Sequence, residues 1–161
     1  MSKTNAARIL DKQGVKYELL AYEVDESDLS AIAVAGKLKQ NIDQVFKTLV
    51  LRGDKSGIFV CIIPGAEELD LKKAANISGN KNAAMIPVKD ILTITGYIRG
   101  GCSPVGMKKD YPTFIDESCF LYDFIFVSAG MRGQQLKLKP DDLVLVTSCQ
   151  AEDLILRGMT K

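Results

Sequence analysis

The sequence predicts a mixed α/β fold: one compact domain over residues 1–161, with a twisted mixed β-sheet or partial barrel flanked by helices. Patterns typical of helices and of strands alternate irregularly, and a hairpin pattern lies in the first half of the chain, which favours a mixed sheet over a doubly wound parallel one. Apolar residues make up 47% and charged residues 25% of the chain, as in ordinary globular proteins. A length of 161 residues suits one domain with its own core.

The first two predicted elements are a helix and a strand. Residues 4–15 have apolar positions at helical spacing, Thr4 can cap the first turn, and Gly14 can end the helix. Residues 16–24, KYELLAYEV, have the composition of a strand.

A second helix and a hairpin come next. Residues 27–41 predict a helix for which Ser27 or Ser30 is a suitable N-cap. Within residues 44–64, two β-rich runs flank the segment RGDKSG, whose glycines permit the positive φ of a tight turn.

Helices dominate the middle of the chain, and short elements its last third. The predicted helices span residues 69–78 and 87–96, the second with a proline near its start and a glycine beyond its end. In the last third, two strands are predicted at residues 113–116 and 124–130, and an edge strand of alternating polarity at 135–139. A helix with a proline in its first turn follows at 139–148, and a short C-terminal helix with a loose tail at 151–161.

The charge balance and the cysteines exclude several classes of protein. A formal net charge of +1 gives no strong field for nucleic acid or membranes, and the sequence lacks both an apolar run of spanning length and a signal-peptide pattern. We therefore expect a cytoplasmic protein. The four cysteines form no CxxC pair, and no nucleotide-binding glycine motif occurs, so neither a metal nor another cofactor is expected.

The sequence contains no histidine. Its absence excludes a Ser-His-Asp triad, a Cys-His dyad and most zinc hydrolase sites. Any catalysis must use other side chains, backbone amides or the substrate itself.

Lys47 interrupts the apolar run VFKTLVL. Strand alternation places it on one face with Leu49 and Leu51. A strand-end lysine can extend its ammonium to solvent, so two interpretations stay open: a solvated lysine, and a cation at the mouth of a cleft.

Two glycine-containing loops are further candidates. The first is Gly100–Pro104 and the second covers residues 128–134, SAGMRGQ, directly after a predicted strand. Glycines allow successive backbone amides to converge on an anion or a developing oxyanion. Taken alone, each loop is better explained as a plain turn.

Taken together, these segments resemble the YbaK-type deacylases of mischarged tRNA. The likeness covers nearly the whole chain, with the motifs in the family's order and spacing. The motifs are FKTL (46–49), LDLKK (69–73), TGYIRGGCSPVG (95–106), KK (108–109), PTFID (112–116) and VSAGMRG (127–133).

The resemblance implies the fold that is also inserted as the editing domain of bacterial prolyl-tRNA synthetases. It further implies hydrolysis of Cys-tRNA(Pro), which forms when that synthetase mistakes cysteine for proline. The implied partners are the acceptor end of mischarged tRNA(Pro) and the synthetase itself.

It also implies a set of site residues. The catalytic groups would be Lys47, the backbone of Gly100 and Gly101, and Asp142. At Cys102 the chain departs from the family, in which an aliphatic residue is expected. The substrate would contact Tyr22, Cys102, Ser103, Pro104, Ser128, Gly130 and Arg132.

The chemistry proposed for the family is substrate-assisted, which suits a chain without histidine. The thiol of the bound cysteine attacks its own ester carbonyl, although strain in the four-membered ring opposes this step and an ordered water is an alternative nucleophile. Two other functions stay open: deacylation of Ala-tRNA(Pro), and non-catalytic binding of aminoacyl-tRNA ends or of a synthetase.

Overall fold

A computed structural model describes residues 3–158, which form five α-helices and eight β-strands. The helices are α1 (Asn5–Lys12), α2 (Ala31–Leu38), α3 (Leu71–Ile77), α4 (Ile91–Thr95) and α5 (Pro140–Thr147). The strands are β1 (Glu18–Ala21), β2 (Phe46–Gly53), β3 (Gly57–Pro64), β4 (Ala83–Met85), β5 (Thr113–Asp116), β6 (Ile125–Ser128), β7 (Gln134–Leu138) and β8 (Gln150–Glu152). Among these residues, none of the helices combines the length and apolar composition needed to cross a bilayer.

The strands form two sheets, so the mixed α/β class is confirmed while the single sheet is not. One sheet has the order β1-β7-β6 and is antiparallel. The other has the order β4-β2-β3-β5-β8, antiparallel through β4, β2 and β3 and parallel through β3, β5 and β8. A parallel bridge between Val45 and Phe126 joins the two sheets, which do not close into a barrel within residues 3–158.

The structure confirms most of the predicted elements and their caps. The Thr4 hydroxyl accepts a hydrogen bond from the Ala7 amide at 3.2 Å at the start of α1. Ser30, and not Ser27, caps α2, because its hydroxyl accepts from the Ala33 amide at 3.2 Å. The predicted hairpin is β2–β3, whose register pairs Gly53 with Gly57.

The expectation of an edge strand at residues 135–139 is wrong. β7 is the central strand of its sheet, with β1 on one side and β6 on the other. Leu136 and Leu138 are fully buried. Alternating polarity indicates that one face of a strand is covered, but it does not tell how many strands lie beside it.

The expectation of a C-terminal helix is also wrong, because Gln150–Glu152 forms β8 beside β5. The chain stays extended after β8, where the Leu154 amide donates to a carboxylate oxygen of Asp116 at 3.0 Å. The Leu154 carbonyl accepts from the Asp70 amide at 2.8 Å. Partners distant in sequence therefore decide this conformation. Residues 159–161, the end of the predicted tail, lie outside the described residues. The short strand β4 is an element that the sequence did not predict.

Three apolar clusters hold the elements together. The largest combines residues of both sheets with α1 and α5. A second packs α3 against the opposite face of the β2–β3 hairpin. The third packs Val34 and Ala35 of α2 onto Val45 and Phe126, the pair that joins the two sheets. This third cluster fixes the start of α2 beside the start of β2, where the candidate site lies.

Candidate functional site

A cleft of about 370 Å³ opens next to the junction of the two sheets. It is called the cleft below. The start of β2, the start of α2, the first glycine loop and the adjoining ends of β6 and β7 form its walls. Its lining residues are Leu29, Ser30, Ala31, Val34, Val45, Phe46, Lys47, Thr48, Leu49, Arg99, Gly100, Cys102, Ser128 and Gln135.

The pairing of β2 explains why the cleft lies there. β3 pairs with β2 along its whole length, Phe46–Gly53, but β4 pairs only with Leu51–Gly53. The bridge from Val45 to Phe126 is a single pair and does not continue as a ladder among the described residues. The first half of β2 therefore presents an open edge to the cleft, and Lys47 and Thr48 lie on it.

Lys47 is half-buried in the cleft wall and lines the cleft. Burial lowers the pKa of Lys47, while the charges of Glu68 and Glu67 act in the opposite direction. Within residues 3–158 it forms no ion pair. Its ammonium group is therefore available to a carbonyl or phosphate oxygen of a ligand.

The first glycine loop uses one of its amides internally, and two others have no internal acceptor. The Gly101 amide donates to the Ile98 carbonyl at 2.9 Å, in a turn where Gly100 adopts a left-handed φ of 82°. The amides of Gly100 and Cys102 have no acceptor in the part of the chain that the structure describes. An oxyanion site made of these backbone groups would thus use Gly100 and Cys102, whereas the predicted contribution of the Gly101 amide is not supported.

Gly101 and Arg132 bring the two glycine loops into contact. A Cβ atom at Gly101 would lie 3.0 Å from the Cα of Met131, so a larger residue would push the two loops apart by a few tenths of an ångström. Arg132 donates from Nε to the Arg99 carbonyl at 2.8 Å and from Nη1 to Glu26 at 2.6 Å. The side chain predicted to bind substrate therefore ties the first loop to the segment before α2, and it does not line the cleft.

The Tyr97 side chain contacts both glycine-containing segments. Its hydroxyl donates to the Val105 carbonyl at 2.5 Å, and its amide donates to the Thr95 hydroxyl at 3.0 Å. A Cβ atom at Gly130, where φ is 107°, would lie 2.9 Å from the Tyr97 ring. Burial raises the pKa of Tyr97 to about 12, so it stays a neutral donor.

Cys102 lines the cleft with a protonated thiol. Burial raises its pKa to about 11, against a smaller effect of the Thr95 hydroxyl in the other direction. A neutral thiol is a small apolar group with weak hydrogen-bonding capacity. Cys102 therefore serves as part of the wall, in place of the aliphatic residue that the motif comparison led us to expect.

The structure places the other predicted site residues in different environments. Ser128 lines the cleft and accepts a hydrogen bond from the Gly130 amide at 3.2 Å. Tyr22 packs in the third apolar cluster beside cleft residues. Ser103 is fully buried, and its hydroxyl accepts from the Val105 amide at 3.2 Å.

Pro104 and Asp142 lie outside the cleft. Pro104 lines a cavity beside α1 and the end of α5. Asp142, in the first turn of α5, lines a cavity formed with residues 13–18, Phe124 and Lys137. That cavity shares no lining residue with the cleft, so the structure does not bring Asp142 together with Lys47.

The family model described as the aminoacyl-tRNA editing domain matches residues 26–145, which include every residue that lines the cleft. The chain belongs to the aminoacyl-tRNA editing family. The family resemblance indicated by the motifs is thereby confirmed.

Individual relatives agree with this assignment. EbsC of Enterococcus faecalis, provisionally assigned as a Cys-tRNA(Pro)/Cys-tRNA(Cys) deacylase, is 46% identical over 152 residues, which cover 94% of this chain and 93% of EbsC. A crystal structure provisionally described as a trans-editing enzyme for prolyl-tRNA synthetase matches with a TM-score of 0.81 at 26% identity, covering 97% of this chain and 100% of that one. A 75-residue stretch is 33% identical to the proline–tRNA ligase of Fervidobacterium nodosum, covering 47% of this chain and 13% of the ligase.

Two polar residues of this editing domain's cleft had not been predicted as site residues. Thr48 follows Lys47 directly, and Gln135 lies on β7 opposite Ser128 of β6. In the sequence, Gln135 is a polar residue in a strand that alternates with leucines. The expectation of an edge strand concealed it as a site candidate, because polar residues are common at a sheet edge, whereas the structure buries Gln135.

Tyr97→Phe should destabilise the domain by about 1–3 kcal/mol, because the buried Val105 carbonyl loses its donor. Urea denaturation followed by circular dichroism measures this difference. Tyr22→Phe is the matched control, since the Tyr22 hydroxyl has no partner among the described residues, and it should change stability by less than about 0.5 kcal/mol. Equal stability of Tyr97→Phe and the parent would contradict the supporting role of the hydroxyl.

Proposed function

We propose that this editing domain is a trans-editing hydrolase that deacylates mischarged Cys-tRNA(Pro). The observation that carries the proposal is the cleft itself, in which the Lys47 ammonium lines the same cavity as the unpaired amides of Gly100 and Cys102. Such a site can polarise an ester carbonyl and stabilise an oxyanion, and with no histidine in the chain it leaves the nucleophile to the substrate. The activity assigned to EbsC supports the choice of substrate.

In the proposed reaction, the substrate thiol loses its proton and its sulfur attacks the ester carbonyl. The carbon–sulfur bond forms, the carbon–oxygen bond to the ribose breaks, and the leaving ribose oxygen takes up a proton. Alignment of an intramolecular nucleophile is worth effective molarities of about 10⁵–10⁸ M, against which ring strain in the thiolactone must be set. The thiolactone released is then hydrolysed by water.

Lys47 has two roles in this scheme. Its positive charge stabilises the oxyanion together with the amides, each of which contributes about 10²–10³-fold in comparable sites. Because burial lowers its pKa, its ammonium group is also a better proton donor to the leaving ribose oxygen than an exposed lysine would be.

The proposed partners are the acceptor end of tRNA(Pro) and prolyl-tRNA synthetase. A formal net charge of +1 predicts weak and salt-sensitive affinity for tRNA alone. Weak binding of this kind does not select one tRNA over another. Association with the synthetase would provide the selection of tRNA(Pro). The match to a segment of a proline–tRNA ligase supports this partner.

A direct assay tests the proposal. Amino acid release from Cys-tRNA(Pro), Ala-tRNA(Pro) and Cys-tRNA(Cys) is measured side by side with the purified protein. Preference for the two cysteinyl esters over the alanyl ester supports the proposal. Release from Ala-tRNA(Pro) alone would assign the alternative deacylase activity, and absence of release from all three would leave a binding module.

Lys47→Ala should lower deacylation of Cys-tRNA(Pro) by at least about tenfold, because the cationic contribution to oxyanion stabilisation is lost. Its melting temperature should stay within a few degrees of the parent's, since a half-exposed lysine contributes little to stability. Lys55→Ala, at the exposed hairpin turn, is the control and should keep full activity. Equal rates for Lys47→Ala and the parent would refute the assignment.

Cys102→Ala should keep most of the activity, and mass spectrometry should detect no acyl-enzyme. With a pKa of about 11, only about one part in 10⁴ of this thiol is ionised at pH 7. Trapping a cysteinyl thioester on Cys102 would show that the enzyme and not the substrate supplies the nucleophile.

Ser-tRNA(Pro) should bind about as well as Cys-tRNA(Pro) but turn over at least about a hundredfold more slowly, because a hydroxyl is a poor nucleophile at neutral pH. Turnover of the cysteinyl ester should rise with pH toward the thiol pKa, about 8.5 in model peptides. Single-turnover rates for both esters between pH 6 and 9 provide the measurement. Similar turnover of the two esters would favour an enzyme-bound water as nucleophile.

A further inference from the structure

Among the described residues, two cations and no carboxylate line the cleft. The cations are Lys47 and Arg99, and all the other lining residues are neutral. Glu68 and Glu67, whose charges act on Lys47, are not part of the lining. The whole chain has a formal net charge of only +1, so the positive charge at the cleft is a local excess. A cavity lined by charge of one sign concentrates ligands of the opposite sign, and an anionic ligand group is therefore expected here.

The aminoacyl ester of the proposed substrate does not account for both cations. The ester carries no negative charge, and its α-amino group is neutral or positive near neutral pH. Lys47, half-buried in the wall, suits the ester carbonyl. Arg99 is exposed, and its guanidinium has no ion-pair partner within residues 3–158. A guanidinium is always charged and has five N–H donors, so Arg99 keeps the capacity to bind an anion.

The backbone around Arg99 is anchored, whereas its side chain is open to solvent. The Gly101 amide donates to the Ile98 carbonyl at 2.9 Å, and Gly100 has a φ of 82°, which makes Arg99 the second residue of a four-residue turn. Arg132 Nε donates to the Arg99 carbonyl at 2.8 Å. An exposed side chain that starts from a fixed turn in the cleft wall can meet a ligand at the cleft mouth.

The other charged groups near this turn are already paired. Arg132 donates from Nη1 to the Glu26 carboxylate at 2.6 Å. Glu26 therefore does not neutralise Arg99, and Arg132 is not free to bind the anion in its place. Arg99 is the cation at this turn that remains for a ligand.

The chemistry of an aminoacyl-tRNA end identifies the anion. The ester lies on the terminal ribose, and the phosphodiester on the 5′ side of that same ribose is the anion nearest to it. A guanidinium can donate two parallel hydrogen bonds to two oxygens of one phosphate. A group one ribose away from the ester suits a cation that is more exposed than Lys47 and lines the same cleft.

We propose that Arg99 binds the phosphodiester that joins the last two nucleotides of the acceptor end. The proposal rests on the proposed function and deepens it, because it extends the site from the ester to the nucleic acid. With the phosphodiester at Arg99 and the ester carbonyl at Lys47, the terminal ribose is held from both sides. Every tRNA has this phosphodiester, so the contact positions the end without selecting a sequence.

Binding of two non-hydrolysable analogues tests the site without requiring turnover. One is 3′-cysteinylamino-3′-deoxyadenosine, and the other is the same compound with a 5′-methyl phosphate, which reproduces the single charge of a phosphodiester. Calorimetry on the full chain gives both dissociation constants. The parent should bind the methyl phosphate analogue about fivefold more tightly at low salt, which is the upper range for one exposed ion pair. Added salt should reduce this preference.

Matched variants locate the preference. Arg99→Ala should reduce it to less than about twofold by weakening only the methyl phosphate analogue. Arg99→Lys should keep part of it, because the charge remains while the two parallel hydrogen bonds are lost. Arg99→Glu should reverse it through repulsion. Arg8→Ala removes the same charge from an exposed position of α1 outside the cleft, and it should keep the full preference.

Inorganic phosphate distinguishes a phosphodiester site from a site for free phosphate. Titrated alone, it should bind at least about a hundredfold more weakly than the methyl phosphate analogue, because it lacks the contacts of the nucleoside and the cysteinyl group. Equal affinity for inorganic phosphate would assign Arg99 to a free anion and overturn the proposal.

Three further results would overturn it: equal binding of both analogues to the parent, a preference that survives Arg99→Ala, or no binding of either analogue. Deacylation of Cys-tRNA(Pro) by the parent is measured separately. Preference for the methyl phosphate without deacylation would keep the phosphodiester site and reject the hydrolase. Deacylation without that preference would reject only the role of Arg99.

Discussion

The pairing of Val45 with Phe126 is the contact on which the cleft depends. It joins the two sheets, and α2 covers it through Val34 and Ala35. Because this pairing does not continue as a ladder, the first half of β2 keeps an open edge on the side away from β3. An unpaired strand edge carries free backbone groups, and here it lies inside a cleft walled by loops, where it can serve a ligand and is shielded from pairing with another chain.

The glycine loops complete this arrangement through close backbone contacts. Gly101 lies against Met131 and Arg132, and Tyr97 supports both loops at once. Arg132 then connects the first loop to Glu26, ahead of α2. These contacts hold the amides of Gly100 and Cys102 at the cleft before any ligand arrives. Preorganised donors of this kind need no rearrangement during reaction, which is why they are effective at stabilising developing charge.

The composition of the site agrees with chemistry that needs no enzyme nucleophile. The chain has no histidine, and burial keeps the Cys102 thiol neutral. Lys47 is a cation that lines the cleft together with Cys102.

The sequence by itself determined the mixed α/β class, five helices, the hairpin and the family, and it singled out Lys47 and the first glycine loop, which line the cleft. These features are local: caps, turn glycines and apolar spacing act within a few residues. Tertiary structure alone decided that β7 is central, that residues 150–152 form a strand, and that the Gly101 amide is occupied. It also separated Asp142 from the cleft and placed Gln135 within it. The physical reason is that strand neighbours, hydrogen-bond partners and cavity walls come from residues far apart in the chain, so no local pattern specifies which side chains will meet.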